Sequence, residues 1–454
     1  MNEPILTKFA IDAIESLAKE DPKLYGLIEQ EYLRQSVSLA MVASCSNTDP
    51  SVLACEGGFT SNVTAEGYPG ARFHAGCEFV DQFEQLAIDR AKQAFGAQYV
   101  NVQPHTASTA NQVVTSRILD PGDTLLGLSL DGGGHLSHGA KVNISGSFYN
   151  AIGYNLNTDG FIDYDQVEQL ALQHKPKLII CGTTAYPRII EWQKFRDIAD
   201  KIGAYVLADI THIAGLVIAG EHPNPIDIAH FTTTCTHKQL YGPRGGLIMM
   251  GKDFELPSPR GKGTLVNLMQ SGLFPFTQGA PIVNTIVAKA RALDRANKPE
   301  FKQLAKRIVS LSSCLANAFI EEGITVVSGG SDNHIILANT LKSFNVTGIV
   351  AEKALEECNI IINKNWIPGD TLSPFVTSGI RIGTNSVAAR GLDEVAIRKC
   401  ASLISRVLKQ IVVVNDREYK LDAAKRDEFR AEVKEIAICF PIPGYRLPDI
   451  LKDK

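Results

Sequence analysis

The 454-residue chain has a formal net charge of −4, with 44% hydrophobic and 21% charged residues. That balance excludes a basic footprint for nucleic acid or an anionic membrane surface, and the length predicts two or three domains with ample core. Nine cysteines without a Cys-x-x-Cys pair point to a reducing cytoplasm, and no apolar run reaches the roughly 20 residues of a membrane span.

In chain order, residues 1–35 predict an amphipathic helical arm, with Leu6, Ala10, Ile14, Leu17, Leu24, Leu27 and Ile28 near helical spacing. Packing on a partner subunit and packing on its own domain suit that arm equally. Residues 36–298 predict a large domain. Helical stretches at Phe79–Phe95, Tyr164–Gln173 and Lys194–Lys201 alternate there with β-rich runs at Tyr99–Val102, Thr124–Leu130, Leu178–Cys181, Tyr205–Ala208 and Leu247–Met250. Apolar strands separated by helices predict an α/β fold with a mostly parallel sheet, whose ligands collect at the carboxyl ends of the strands. A long helix is expected over Ala280–Asn297. Residues 299–454 predict a smaller α+β C-terminal domain, with β-rich runs at Thr325–Ser328, Asn333–Leu341, Ile360–Asn363 and Gly379–Gly383. Its helices are expected at Phe301–Glu322, Thr347–Glu357 and Asp393–Val412, and Phe440–Gly444 as an extended tail.

The chemistry concentrates at Thr236-His237-Lys238, followed by a glycine-rich turn, with Asp209 at a strand end 29 residues upstream (238 − 209). A lysine amine able to form a Schiff base, paired with a carboxylate able to keep a pyridine nitrogen protonated, points to pyridoxal 5'-phosphate. Thr106-Ala107-Ser108 follows a short strand and opens a helix, which suits a phosphate cradle or an ordinary N-cap. Gly132–Gly139 is a glycine-rich turn bearing His135 and His138. Arg381, alone in an apolar strand, needs an anionic partner, either a substrate carboxylate or a structural ion pair.

Together with Ala65-Glu66-Gly67-Tyr68-Pro69-Gly70, Gln103-Pro104-His105, Ala185-Tyr186-Pro187-Arg188 and Ser373–Arg381, these residues resemble the serine hydroxymethyltransferase family over about residues 30–412. The resemblance implies a fold-type I pyridoxal-phosphate enzyme of small-molecule amino-acid chemistry, working as a homodimer with shared active sites. Pairing of dimers into tetramers stays open, and no metal is implied. It assigns Lys238 to the Schiff base, Asp209 to the pyridinium and His212 to the neighbourhood of the phenolic oxygen. Thr106, Ala107 and Ser108 go to the phosphate, with Thr184, Thr211 and His237 elsewhere around the cofactor. Ser44, Thr64 and Arg381 face the substrate. Thr277–Ala280, with Gly279, resembles the segment that reaches a neighbour's phosphate.

The chain departs from the family pattern where substrate and folate bind. Cys45 stands where the family has a glutamate, Gly132 where it has a ring-stacking histidine, and Thr64 where it has a tyrosine. Phe73-His74 replaces a tyrosine pair; Cys235, Thr211 and Tyr241 are also changed. The expectation is an aldol-type enzyme that cleaves a β-hydroxy-α-amino acid, L-threonine favoured, and passes the glycine unit to an aldehyde. His135 and then His74 are the candidate proton handlers. The alternatives are folate-dependent hydroxymethyl transfer and a non-catalytic scaffold paralogue.

Overall fold

Short apolar segments that must bury both faces build the centre of the molecule. The computed structural model describes residues 4–451. Seven strands form one sheet: β1 Tyr99–Asn101, β2 Thr124–Leu128, β3 Asn150–Tyr154, β4 Leu178–Gly182, β5 Tyr205–Asp209, β6 Phe231–Cys235 and β7 Gly246–Met250. Their order is β1-β7-β6-β5-β4-β2-β3. All pairings are parallel except the two made by β7, which runs antiparallel to β1 and to β6. Because β7 is reversed, it begins at the edge where the other strands end, so the turn that feeds it also lies at that edge.

Two helices, α1 Ile5–Glu20 and α2 Pro22–Val37, make up the N-terminal arm. No residue of α1 is buried, so Ile5, Leu6 and Phe9 remain exposed. The sheet is flanked by α3 Glu78–Phe95, α4 Ala107–Ile118, α5 Tyr164–His174 and α6 Trp192–Ile202. Thr106 caps α4 by accepting the Thr109 amide, and Asp163 caps α5 by accepting that of Gln166. The α6 helix stops at Gly203, whose φ of 68° is the left-handed conformation glycine adopts most easily.

Helices α7 Val283–Ala296 and α8 Pro299–Glu321 lead to a four-stranded antiparallel sheet of β8 Thr325–Val326, β9 Ile335–Asn339, β10 Asn363–Asn365 and β11 Gly379–Gly383. Its order is β8-β9-β11-β10, with α9 Glu394–Gln410 packed nearby. The expected Ile360–Asn363 run divides: Ile360–Ile361 pairs in parallel with Leu39–Ala40, and Asn363 opens β10.

Sequence patterning overlooks β3, β6 and a helix at Ala423–Cys439. The β6 sequence Phe-Thr-Thr-Thr-Cys is β-branched but polar, so a search for apolar runs passes over it. Its hydroxyls are nonetheless buried, and Thr233 donates to Asn111 at 2.5 Å. Among the described residues no helix is long and apolar enough to cross a membrane, and no cluster of metal-ligating side chains occurs.

Candidate active site

Asp209 ends β5, Thr183 and Thr184 follow β4, His237 and Lys238 follow β6, and Thr106 opens α4 after β1. They line one cavity of about 570 Å³. The same cavity is lined by Ala107, Ser108, His135, Thr211, His212, Ser44 and Arg381, so twelve residues expected from sequence converge. Thr64, His74 and Gly279 do not line it. Thr64 and Gly279 are exposed, and His74 lies 3.4 Å from Glu66 on the surface.

At the cavity floor, Asp209 Oδ2 accepts from Asn111 Nδ2 at 2.8 Å and pairs with His138 Nε2 at 3.0 Å. Asp209 Oδ1 accepts the Thr211 amide at 3.0 Å. His138 Nδ1 accepts the His135 amide, which leaves the Nε2 proton for Asp209. Burial pushes Asp209 toward protonation, but the hydrogen bond from His138 and the nearby histidines outweigh it and hold the carboxyl well below its usual range. Asp209 is therefore an ionised carboxylate in a dry setting, matched to a cationic ring nitrogen. Asn111 and His138 are not legible as partners of Asp209 in the sequence, because 98 and 71 residues separate them from it and nothing local marks the contact.

Lys238 Nζ lies 2.9 Å from His212 Nε2. Burial lowers the Lys238 amine and drives His212 well below its ordinary pKa, with Lys238 and Arg381 adding to the effect on the histidine. An amine whose proton is destabilised is closer to being a nucleophile. The His212 ring stacks on His334 at 5.7 Å and an interplanar angle of 17°. Among the described residues, His212 Nδ1 and Thr211 Oγ1 are buried without a hydrogen-bond partner.

Thr106, Ala107 and Ser108 form the N-cap and first turn of α4. Thr106 Oγ1 accepts the Thr109 amide, while the Ala107 and Ser108 amides belong to a turn without intrahelical acceptors. A Cβ on Gly246 would come within 2.3 Å of the Thr106 carbonyl oxygen, so the first residue of β7 must be bare for this turn to close against it.

Arg381 lies on β11, between β9 and β10. Its Nε donates to Asn363 Oδ1 at 3.0 Å and its Nη1 to the Thr184 carbonyl at 2.6 Å. Burial lowers its pKa to about 10. Among the described residues it has no carboxylate partner within ion-pair distance, and its polar contacts are the Asn363 amide oxygen and the Thr184 carbonyl. The Ala43–Ser46 segment passes beside it. Asn385 Nδ2 donates to the Ala43 carbonyl, Ser46 Oγ donates to the His237 carbonyl, and a Cβ on Gly383 would strike Ala43 Cα at 2.3 Å. Cys45 is thereby held at the cavity wall. Burial of the thiol raises its pKa despite Arg381 and Arg244. Among the described residues, Asp209 is the only carboxylate lining the cavity.

This donor set fits pyridoxal 5'-phosphate: an amine for its aldehyde, a carboxylate for its ring nitrogen and an open helix turn for its phosphate. Sheet order and site together define a fold-type I pyridoxal-phosphate enzyme. The family model for serine hydroxymethyltransferase matches residues 17–404. Over 428 residues the chain is 47% identical to the serine hydroxymethyltransferases of Acinetobacter baylyi and Acinetobacter radioresistens, covering 94% of this chain and 98% of each relative. The enzyme of that name from Halorhodospira halophila is 46% identical over 429 residues, covering 94% and 99%. The chain belongs to the serine hydroxymethyltransferase family and is a pyridoxal-phosphate-dependent enzyme.

Proposed function

We propose that the chain cleaves the Cα–Cβ bond of a β-hydroxy-α-amino acid, L-threonine favoured, and joins the glycine unit to an aldehyde. The observation that carries this reading is Cys45 at the cavity wall, with no carboxylate among the described residues but the buried Asp209 lining the site. When bound, the cofactor supplies an electron sink for the pair left by the broken bond. Asp209 keeps that sink cationic, and Arg381 fixes the substrate carboxylate by its guanidinium fork. His135 lines the cavity with its Nδ1 2.8 Å from Ser137 Oγ. Burial and His138 lower it to about 4, so it is neutral at pH 7, with the Ser137 amide on Nδ1 and the ring proton on Nε2 as a donor to the substrate oxygen. His74 is the second candidate.

Thr64, His74 and Gly279 would serve the site of a second copy. Their exposure beside Phe73 and Phe276, which are 74% and 60% exposed, supports that placement. Residues 36–298 and 299–454 would be the two domains that share the cavity, the second contributing Arg381.

Folate-dependent hydroxymethyl transfer is the second reading, and the names and high identity of the relatives favour it. Incubation with threonine and a panel of aldehydes, beside serine with tetrahydrofolate, separates the two. Acetaldehyde release with new β-hydroxy amino acids supports the first reading. Methylene-tetrahydrofolate from serine, with no acetaldehyde from threonine, supports the second.

A further inference from the structure

Lys289 is a lysine in the middle of α7 with only 1% of its surface exposed. Its Nζ donates to the carbonyls of Val102 at 2.5 Å, Pro104 at 3.1 Å and Gly246 at 3.0 Å, which uses all three of its protons. Val102 and Pro104 lead from β1 into the Thr106–Ser108 cradle, and Gly246 opens β7. A Cβ on Gly245, a cavity-lining residue, would sit 2.7 Å from this Nζ. The ammonium therefore lies one backbone layer behind the cavity wall.

Among the described residues no carboxylate pairs with it. The elements packed around α7 carry Glu84 and Arg90 on α3, and Glu56 on the segment Pro50–Glu56. Arg291 and Asp294 lie on α7 itself, and His105, Lys238 and Arg244 on the adjoining turns. Among these only Glu84 exerts a resolved pull, and Glu84 is already bound by Arg72 at 2.6 Å and by Gln103. The wall of the cradle is short of cations: Lys238 and Arg381 are engaged elsewhere in the cavity, His237 is lowered to about 4, and Arg244 is exposed.

We propose that Lys289 is a positioning residue for the cofactor phosphate, tying the cradle to the start of β7 and supplying the buried positive charge behind it. The inference rests on the Thr106–Ser108 cradle as the phosphate site. Burial lowers the Lys289 amine to about 7. A nearby phosphate dianion favours the charged form, so binding takes up a proton above that pH and weakens as pH rises.

The test compares pyridoxal phosphate with pyridoxal, whose affinity ratio isolates the phosphate and cancels titration of Lys238. In the wild type the ratio should fall about tenfold or more between about pH 6.5 and about pH 9, a range in which the phosphate itself is already largely dianionic. Lys289→Met should lower the ratio by about tenfold at the acid end and flatten its pH dependence. A variant that keeps the wild-type ratio and slope overturns the proposal. Should Lys289→Met fail to fold, a wild-type ratio that does not change with pH overturns it alone. Failure of the cofactor reading looks different, since neither compound would then give a visible absorption band with the wild type, and the proposal falls with it.

Discussion

Asp209 at the cavity floor accepts three hydrogen bonds, and two of its donors, Asn111 and His138, are themselves held by Thr233 and the His135 amide. The mouth is made differently: Cys45 sits on a loop segment at the cavity wall rather than at a strand end. A networked floor tolerates little change, because each lost partner strands another buried polar group. A mouth built on loops can exchange residues without disturbing the fold. Asp209 and Lys238 therefore sit in the networked floor, while Cys45, which departs from the family pattern, sits on the loop.

Changes at the floor should be the most damaging. Lys238→Ala should abolish the visible absorption of the loaded protein and lower turnover by at least about a thousandfold, read by spectroscopy and steady-state kinetics. Retention of activity above that level would break the distinction between floor and mouth. Asp209→Asn, which keeps the shape and removes the charge, should lower kcat by about a hundredfold or more while cofactor remains bound. Arg381→Gln stands between the two regions: KM for the amino acid should rise by about a hundredfold, with cofactor affinity unchanged.

At the mouth the effects should be selective. Cys45→Glu restores a carboxylate at the cavity wall and should raise folate-dependent turnover of serine at the expense of aldehyde exchange, leaving the cofactor spectrum as it was. An altered spectrum would mean that the loop is coupled to the floor after all.

The smallest effect concerns acid stability. His135, His222 and His230 are lowered from 6.5 to about 4, and His334 to about 3, chiefly by burial. Between those values the unfolded chain binds more protons than the folded one, so stability rises with pH. The neutral histidines thus contribute fully above pH 6.5. The melting temperature should fall as pH drops from 6.5 toward about 4, and a flat profile would contradict their burial as neutral groups.

Much of the floor was legible in the sequence because its residues terminate strands. The apolar run before Asp209, the glycines after Lys238 and the lone arginine in Gly379–Gly383 each mark their place locally. Lys289 illustrates what was not legible. A lysine in an alanine-rich helix reads as a solvent-facing charge, and only the approach of three carbonyls from two distant strands makes it a buried one. Asn111 likewise looks like an ordinary helix residue until β6 and β5 are laid beside it. Thr64, His74 and Gly279, expected at the site from the resemblance, lie outside the cavity of the single chain.

The residues lining the cavity run from Ser44 to Arg381 along the chain. During synthesis Asp209 and Lys238 leave the ribosome well before Arg381, so a growing chain carries the floor of the site long before the group that closes it. The site is therefore completed late, and a product truncated ahead of β11 would lack Arg381 altogether.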